Sequence, residues 1–454
     1  MTRGDDRDHN DFLSQSGNRL TRIEAQPSVG QMEHGSSGDE PAPGRPVDAR
    51  TILLIVLGTF GGAVATLVPM AFSLALRIDQ LAPGRPELLG VVIAVSAATA
   101  LVTSPIGGLL SDRTRTRWGK RRPFTVVGVA LGLSGVPVLV LAEDVLTLCA
   151  GWVVCSLGFA TAASSVRNLQ ADRLPSSQRG RVSGLTSLTM QLAPVFGILL
   201  VGSVAHDTTL LFALPAAVGA VSLLTFAILV SEPSSGRARP PTRLSVLGVV
   251  RSYGFRPRQA PDFAWLWAGR FIVFSGLTLT TSYSTFFYAQ RLGLEIPDVA
   301  GILAVTSMLS IVSLGCGSLG AGWLSDRTGR RRPFVIVGGA VAATGCAIAA
   351  TAWSLPVLLA GSFLMSLGVA TLTSVGAAIG LDVLPDRDTQ AGRYMAIMMF
   401  SQRVPSVLAP LVGPLLLSLP GGPPSGNFAA LYVTAAVLLA GGSGVIAAMV
   451  RGVR

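Results

Sequence analysis

The side chains able to do chemistry in this chain are mostly ionic, and they sit where charge is costly. Arg167, Arg270 and Arg403 lie inside otherwise apolar stretches, while Asp112, Asp172, Asp326 and Asp382 mark the ends of others. A central arginine costs about 2.5–3.5 kcal/mol to insert in a bilayer, so each instance needs a reason. Arg403 lies about 15 Å into its stretch, beside Gln402 and Pro405. It can meet a solute or an opposing dipole in a cavity, or bond carbonyls released by Pro405 or Pro410. Arg167, five residues before Asp172, can snorkel, bond Asp172 or face a cavity. Arg270 reads as a snorkelling anchor.

Hydroxyls supply the rest of a candidate site. They include Thr278, Thr281 and Tyr283 in one stretch, Thr371 and Ser374 in a second, and Thr161 and Ser164 in a third, with Gln191 as a further amide. Hydroxyls and aromatic faces suit a neutral polyhydroxylated ligand, because they donate and accept without the desolvation cost of charge. Ser and Thr also serve helix packing in membranes, and any one of them can be structural. Enzyme chemistry is excluded on composition. His9 and His34 lie in the polar N-terminal segment and His206 in a turn, while Cys149, Cys155, Cys316 and Cys346 lack metal-type spacing. No nucleophile–base pair, metal site or cofactor site can be assembled.

The elements that must hold these residues are membrane helices. Half of the 454 residues are hydrophobic and only 13% are charged, against about 25% in soluble proteins. Apolar runs near 20 residues recur without the alternation of a barrel strand. We place spans near 51–76, 87–111, 124–142, 145–170, 182–205 and 208–230, then 263–288, 298–324, 334–353, 355–380, 394–418 and 428–450. The fold class is all-α and polytopic, with twelve helices. Residues 1–50 read as a disordered cytoplasmic tail, 51–230 and 263–450 as two six-helix halves, 231–262 as a cytoplasmic linker and 451–454 as a cytoplasmic C-terminus. Within the linker, Arg243–Phe255 has a partly amphipathic pattern suited to the membrane surface.

Net charge is +11, yet its distribution requires no nucleic acid. Nearly all Lys and Arg fall in the tail and in one set of loops, with Arg77, Arg85 and Arg291 on the other side. That asymmetry orients the chain with both termini in the cytoplasm of a cell (plasma) membrane protein. A monomer in the bilayer is the simplest reading.

The halves repeat. Gly108-Leu-Leu-Ser-Asp112-Arg113 leads through Gly119-Lys120-Arg121-Arg122-Pro123, and the pattern returns as Gly322-Trp-Leu-Ser-Asp326-Arg327-Thr-Gly329-Arg330-Arg331-Arg332-Pro333. Ser156-Leu157-Gly158 leads to Asp172 and Gly180-Arg181; Ser366-Leu367-Gly368 leads to Asp382 and Gly392-Arg393. A duplicated basic loop between spans is how a two-lobed carrier is built. An aspartate at a helix end can approach the positive end of a neighbouring helix, and the arginines can meet carboxylates or lipid phosphates.

These repeats resemble the major facilitator superfamily. The resemblance implies a cavity lined by spans 1, 4, 7 and 10, alternating access by rocking halves, and basic-face latches Asp112–Arg393 and Asp326–Arg181. Arg115-Thr-Arg117-Trp118-Gly119-Lys120 followed by Arg122-Pro123-Phe124 is similar to the loop of glycoside–pentoside–hexuronide cation symporters and sucrose transporters, and Arg167-Asn-Leu-Gln-Ala-Asp172 on span 4 resembles a motif of the sucrose-transporter group. The implied solute is a sugar or glycoside, with protons as a coupling partner. Two departures bear on coupling. The acid positions of span 2 are Ala100 and Ser104, and the span-4 acid position falls near Ser156. A proton would therefore have to use Asp172 or Asp382, and facilitated diffusion stays open. The alternative is a proton-coupled drug or metabolite exporter. It is weakened by Val154-Cys-Ser-Leu157-Gly158, which lacks the arginine and glutamine that exporters carry on span 4.

Overall fold

The computed structural model describes residues 47–113, 119, 121–230, 257–385, 387–423 and 426–450, except for the side chains of 104–113, 176 and 387–392. The tail before residue 47, linker residues 231–256 with their amphipathic piece, and residues 451–454 lie outside the described residues.

Twelve helices run through the described chain: α1 (Ala49–Leu81), α2 (Glu87–Arg113), α3 (Arg122–Val140), α4 (Val145–Arg173), α5 (Ser176–Gly202), α6 (Thr208–Leu229), α7 (Pro261–Leu292), α8 (Ile296–Thr328), α9 (Arg332–Ala350), α10 (Leu355–Asp382), α11 (Arg387–Leu417) and α12 (Phe428–Met449). Eleven are long and apolar enough to cross a membrane, and the twelfth, α2, has an apolar run over Glu87–Thr103. No strand occurs among the described residues. Val127, Val221, Ile228, Leu319, Leu415 and Val437 are exposed on the outside of the bundle. Such an apolar exterior needs lipid around it.

Several helices outrun their apolar cores. α5 begins at Ser176, not 182, and α1 continues to Leu81, not 76. In α5 the extra turn is polar, carrying Gln178 and Arg179, so hydropathy alone stops short of it. Starts are set by side-chain caps. Asp144 accepts from the Thr147 N–H at 2.9 Å, and Asp207 accepts from Thr209 and Leu210 at 2.8 and 3.1 Å. The Thr147 N–H and hydroxyl hold the Asp144 carboxyl below its ordinary range.

Helix ends are tied across the bundle in a repeated way. Arg77, near the end of α1, donates to Ala142 O just past α3 at 2.6 Å, and Arg291, at the end of α7, donates to Ala350 O at the end of α9. Both satisfy terminal carbonyls and place a cation at the negative helix pole. Two of the three arginines on the far side of the charge asymmetry, Arg77 and Arg291, are therefore used structurally. Arg122 does the same for Val230 O at the end of α6.

The closest helix pairs are α3 with α4 and α9 with α10. A methyl on Gly158 would fall 2.1 Å from Gly132 N, and one on Gly368 would fall 2.3 Å from Ala342 N. Small residues let backbones touch where lipid gives no hydrophobic drive between helices. Two π-helical turns, Pro69–Ser73 in α1 and Gly315–Gly320 in α8, interrupt regular winding, the first beside the central space at Met70 and the second against α10.

The two halves meet along three seams on the face opposite the basic loops. Thr285 of α7 donates to Ala71 O of α1 at 2.5 Å. Gly202 of α5 backs onto Ala300 of α8, and Gly90 of α2 backs onto Tyr283 and Pro410. Near the basic loops, Gly180 and Gly184 of α5 and Gly320 of α8 have open space beside them. The three seams close the bundle on the far face.

Candidate functional site

Between the halves lies a cavity of about 610 Å³, within the range of small-molecule sites. α1, α2, α4 and α5 line it from the first half, and α7 and α11 from the second. Its floor, toward the closed face, includes Met70, Trp152 and Ser282; toward the basic face it carries Arg167, Gln170 and Arg403. Hydroxyls stud the wall between, among them Thr59, Thr66, Ser96, Thr161, Ser164 and Thr281. Many already donate to their own helix: Thr66 to Gly62 O at 2.7 Å, Thr161 to Leu157 O at 2.7 Å. Their lone pairs remain open to accept from a solute. Trp152 Nε1 donates to Ser96 Oγ at 3.1 Å, and the ring is buried behind the wall.

Several expected site residues lie elsewhere. The family pattern puts α10 in the wall, but no described lining residue comes from it. Thr371 bonds Leu367 O, and Ser374 donates to Ser318 O at the π-turn of α8, so both serve helix packing in this state. Tyr283 is fully buried in the seam and donates to Pro410 O at 2.8 Å. Gln191 and Gln402 are likewise absent from the lining, though Arg403 beside Gln402 is present. The wall of α2 and α5, with Ser96, Thr103, Thr186 and Ser187, was missed. Isolated hydroxyls in an apolar run carry no sequence signal that separates lining from packing.

Arg270 stays outside this cavity. Its guanidinium lies over the Phe274 ring at 5.2 Å, and its Nε is buried without a hydrogen-bond partner.

The basic face carries a repeated ion pair, and it differs from the expected latches. Arg121 Nη2 lies 2.9 Å from Asp172 Oδ2, with Nε at 3.3 Å. Arg331 Nη1 lies 2.5 Å from Asp382 Oδ2, without the alignment of a hydrogen bond. Each pair joins the basic loop to the end of the fourth helix of its own half. The glycines of the turn, Gly119 at φ +91° and Gly329 at φ +63°, give the left-handed geometry these loops need. Asp172 is thus engaged by Arg121 and not by Arg167. Asp326 and Arg181 are both exposed and form no ion pair with each other. The Asp112 side chain lies outside the described residues, and so does any Asp112–Arg393 contact; the same holds for Arg113. Arg393 stacks near Tyr394 at 5.7 Å and Arg327 over Trp323 at 5.2 Å.

Asp172→Asn is expected to cost about 1–2 kcal/mol of stability. Breaking a fully buried pair costs about 3–5 kcal/mol and an exposed one about 0–1. Here the Arg121 side chain is 8% exposed and Asp172 53%, which places the loss between those limits. Asp382→Asn should cost less, because the Arg331 side chain is 24% exposed. Thermal unfolding of both variants in detergent would check the order; equal losses would contradict it.

A two-lobed helical bundle with a cavity between the lobes is the architecture of a membrane carrier. The sequence profile of the Major Facilitator Superfamily matches residues 50–320 and 308–454; the chain belongs to that superfamily. It is similar over 72 residues to an uncharacterized symporter of Synechocystis sp., at 36% identity, a match covering 16% of this chain and 13% of that one. Among solved structures it superposes on the nucleoside transporter NupG with a TM-score of 0.69, at 11% identity over 89% of this chain and all of that one. The peptide transporter POT gives 0.68 at 13% identity, over 91% and 98%. The human organic anion transporter MFSD10 gives 0.57 at 16%, over 88% and 100%. At such identities the likeness is one of fold.

Proposed function

We propose that the chain carries a small polyhydroxylated solute of the sugar or glycoside class across a cell membrane, with its basic loops in the cytoplasm. The observation that carries this reading is the hydroxyl-studded cavity between the halves. Such a wall hydrogen-bonds a sugar without desolvating a fixed acid. The loop from Arg115 to Phe124 supports the same class by its resemblance to sugar symporters.

Proton coupling would have to pass through Asp172 or Asp382. Both carboxylates are committed to arginines, and no Asp or Glu is among the described residues lining the cavity. We therefore assign facilitated or exchange transport. Labelled sugars in proteoliposomes should equilibrate at the same rate with or without an imposed proton gradient. Accumulation that collapses with the gradient would overturn this assignment and direct mutagenesis to the two aspartates. A second reading, export of lipophilic compounds, draws on Leu67, Met70, Leu101 and Met190 in the same wall. Energised transport of such compounds with no sugar flux would favour it.

A further inference from the structure

The two basic loops use their arginines differently. In the first half Arg121 pairs with Asp172, and Arg122 donates to Val230 O at the end of α6. In the second half Arg331 pairs with Asp382, which repeats the first of these contacts. Arg332 holds the place of Arg122, yet it is exposed and makes no hydrogen bond or ion pair among the described residues. Arg330 is exposed in the same way. Arg327, also exposed, lies over the Trp323 ring at 5.2 Å and has no ion pair among the described residues.

The surface that leads to these three cations is apolar and turned outward. Leu319, Trp323 and Arg327 follow one another at four-residue steps along α8, which sets them in one stripe about 12 Å long. Leu319 and Trp323 are exposed, as are Ile336 and Val337 on the adjoining turns of α9. An aliphatic chain, then an indole, then a guanidinium is the order a phospholipid meets from acyl chain through the interface to phosphate. Asp326 shares the turn and offsets one of the three charges, so the cluster keeps a net positive charge.

We propose that the α8–α9 turn binds the headgroup of an anionic phospholipid in the leaflet beside the basic loops. Arg327, Arg330 and Arg332 hold its phosphate, and its chains lie against Leu319 and Trp323. Guanidinium forks match phosphate oxygens in pairs. A phosphate shared by Arg327 of α8 and Arg332 of α9 ties the two helix ends together, where the first half uses a contact inside the protein, Arg122 on Val230 O. Such a site is independent of the solute carried. Each net positive charge near an anionic leaflet favours it about fivefold, so two should prefer an anionic over a zwitterionic lipid about 25-fold.

The test reconstitutes the full chain in phosphatidylcholine vesicles doped with a small, equal fraction of dibrominated phosphatidylglycerol or dibrominated phosphatidylcholine. Bromine quenches a tryptophan it touches, and the difference between the unmodified chain and Trp323→Phe isolates the Trp323 signal. Brominated phosphatidylglycerol should quench that signal at least about twofold more than brominated phosphatidylcholine, given the preference above. In the triple variant Arg327→Gln, Arg330→Gln, Arg332→Gln the two lipids should quench alike. Equal quenching in the unmodified chain would overturn the proposal. So would a preference that survives in the triple variant, which would put the lipid on other cations. Loss of the preference in inorganic phosphate, but not in chloride of equal ionic strength, would mean a site for free anions and overturn the lipid assignment. Should the triple variant fail to fold, Arg332→Gln alone decides, because Arg332 makes no bond within the described protein. It should weaken the preference about fivefold, and no change would count against the site.

Discussion

Gly158→Ala should leave little folded carrier, although it adds one methyl group. That carbon would lie 2.1 Å from Gly132 N, 2.5 Å from Gly132 Cα and 2.6 Å from Gly128 O. All three are backbone atoms of α3, so no rotamer change relieves them and the helices must separate. Overpacking costs about 1–3 kcal/mol where side chains can adjust, and we expect at least about 3 kcal/mol here. α3 and α4 carry Arg121 and Asp172 at their basic-face ends, so the ion pair moves with the seam. The comparison variant is Gly184→Ala in α5, where nothing lies within 4 Å. It should be neutral or gain up to about 1 kcal/mol from helix propensity. The check is the yield of monodisperse protein and its melting temperature in one detergent. Similar behaviour of the two variants would refute the close-packed seam.

The same comparison explains what a sequence discloses. Helix number, the half-repeat and the two basic loops were legible because bilayer thickness and loop charge act on composition directly. Gly119 and Gly329 were legible as loop members because duplication put them in register. The cavity was harder. Arg167 and Arg403 stood out because charge in an apolar run is rare, and both face the central space. Tyr283, Thr371 and Ser374 looked equally suitable and are absent from the wall, since a hydroxyl pays no comparable penalty for facing a neighbouring helix. Which way it faces depends on helix rotation, and near-uniform apolarity leaves rotation unmarked in the sequence. Of the expected latches, Asp326–Arg181 is not formed in this structure and Asp112–Arg393 lies outside the described residues. A pair such as Asp326–Arg181 belongs to one conformation of an alternating carrier, whereas Arg121–Asp172 lies within one half and can survive both.

Gly90→Val is the substitution expected to stop transport while sparing the fold. Gly90 belongs to the first half, and Tyr283 and Pro410 to the second. A side chain at Gly90 would start 1.8 Å from the Tyr283 hydroxyl and 2.4 Å from Pro410 O. The Tyr283 hydroxyl cannot retreat easily, because it is fully buried and donates to that same carbonyl. The clash exists only while the far face is closed, so the chain can escape it by rocking open there. A strain of about 1–3 kcal/mol, at 1.4 kcal/mol per tenfold, moves the balance of the two states by about 5- to 150-fold. Uptake should therefore fall about tenfold or more, with melting temperature nearly unchanged. A cysteine at Ser282, which lines the cavity near this seam, should become more reactive to an impermeant reagent added on the far face. Gly90→Ala should lose transport in smaller measure, and Tyr283→Phe, which removes the hydroxyl that its methyl strikes, should restore part of it. No regain, or unchanged uptake in Gly90→Val, would mean that this seam does not gate the cavity and that its tight packing serves only cohesion.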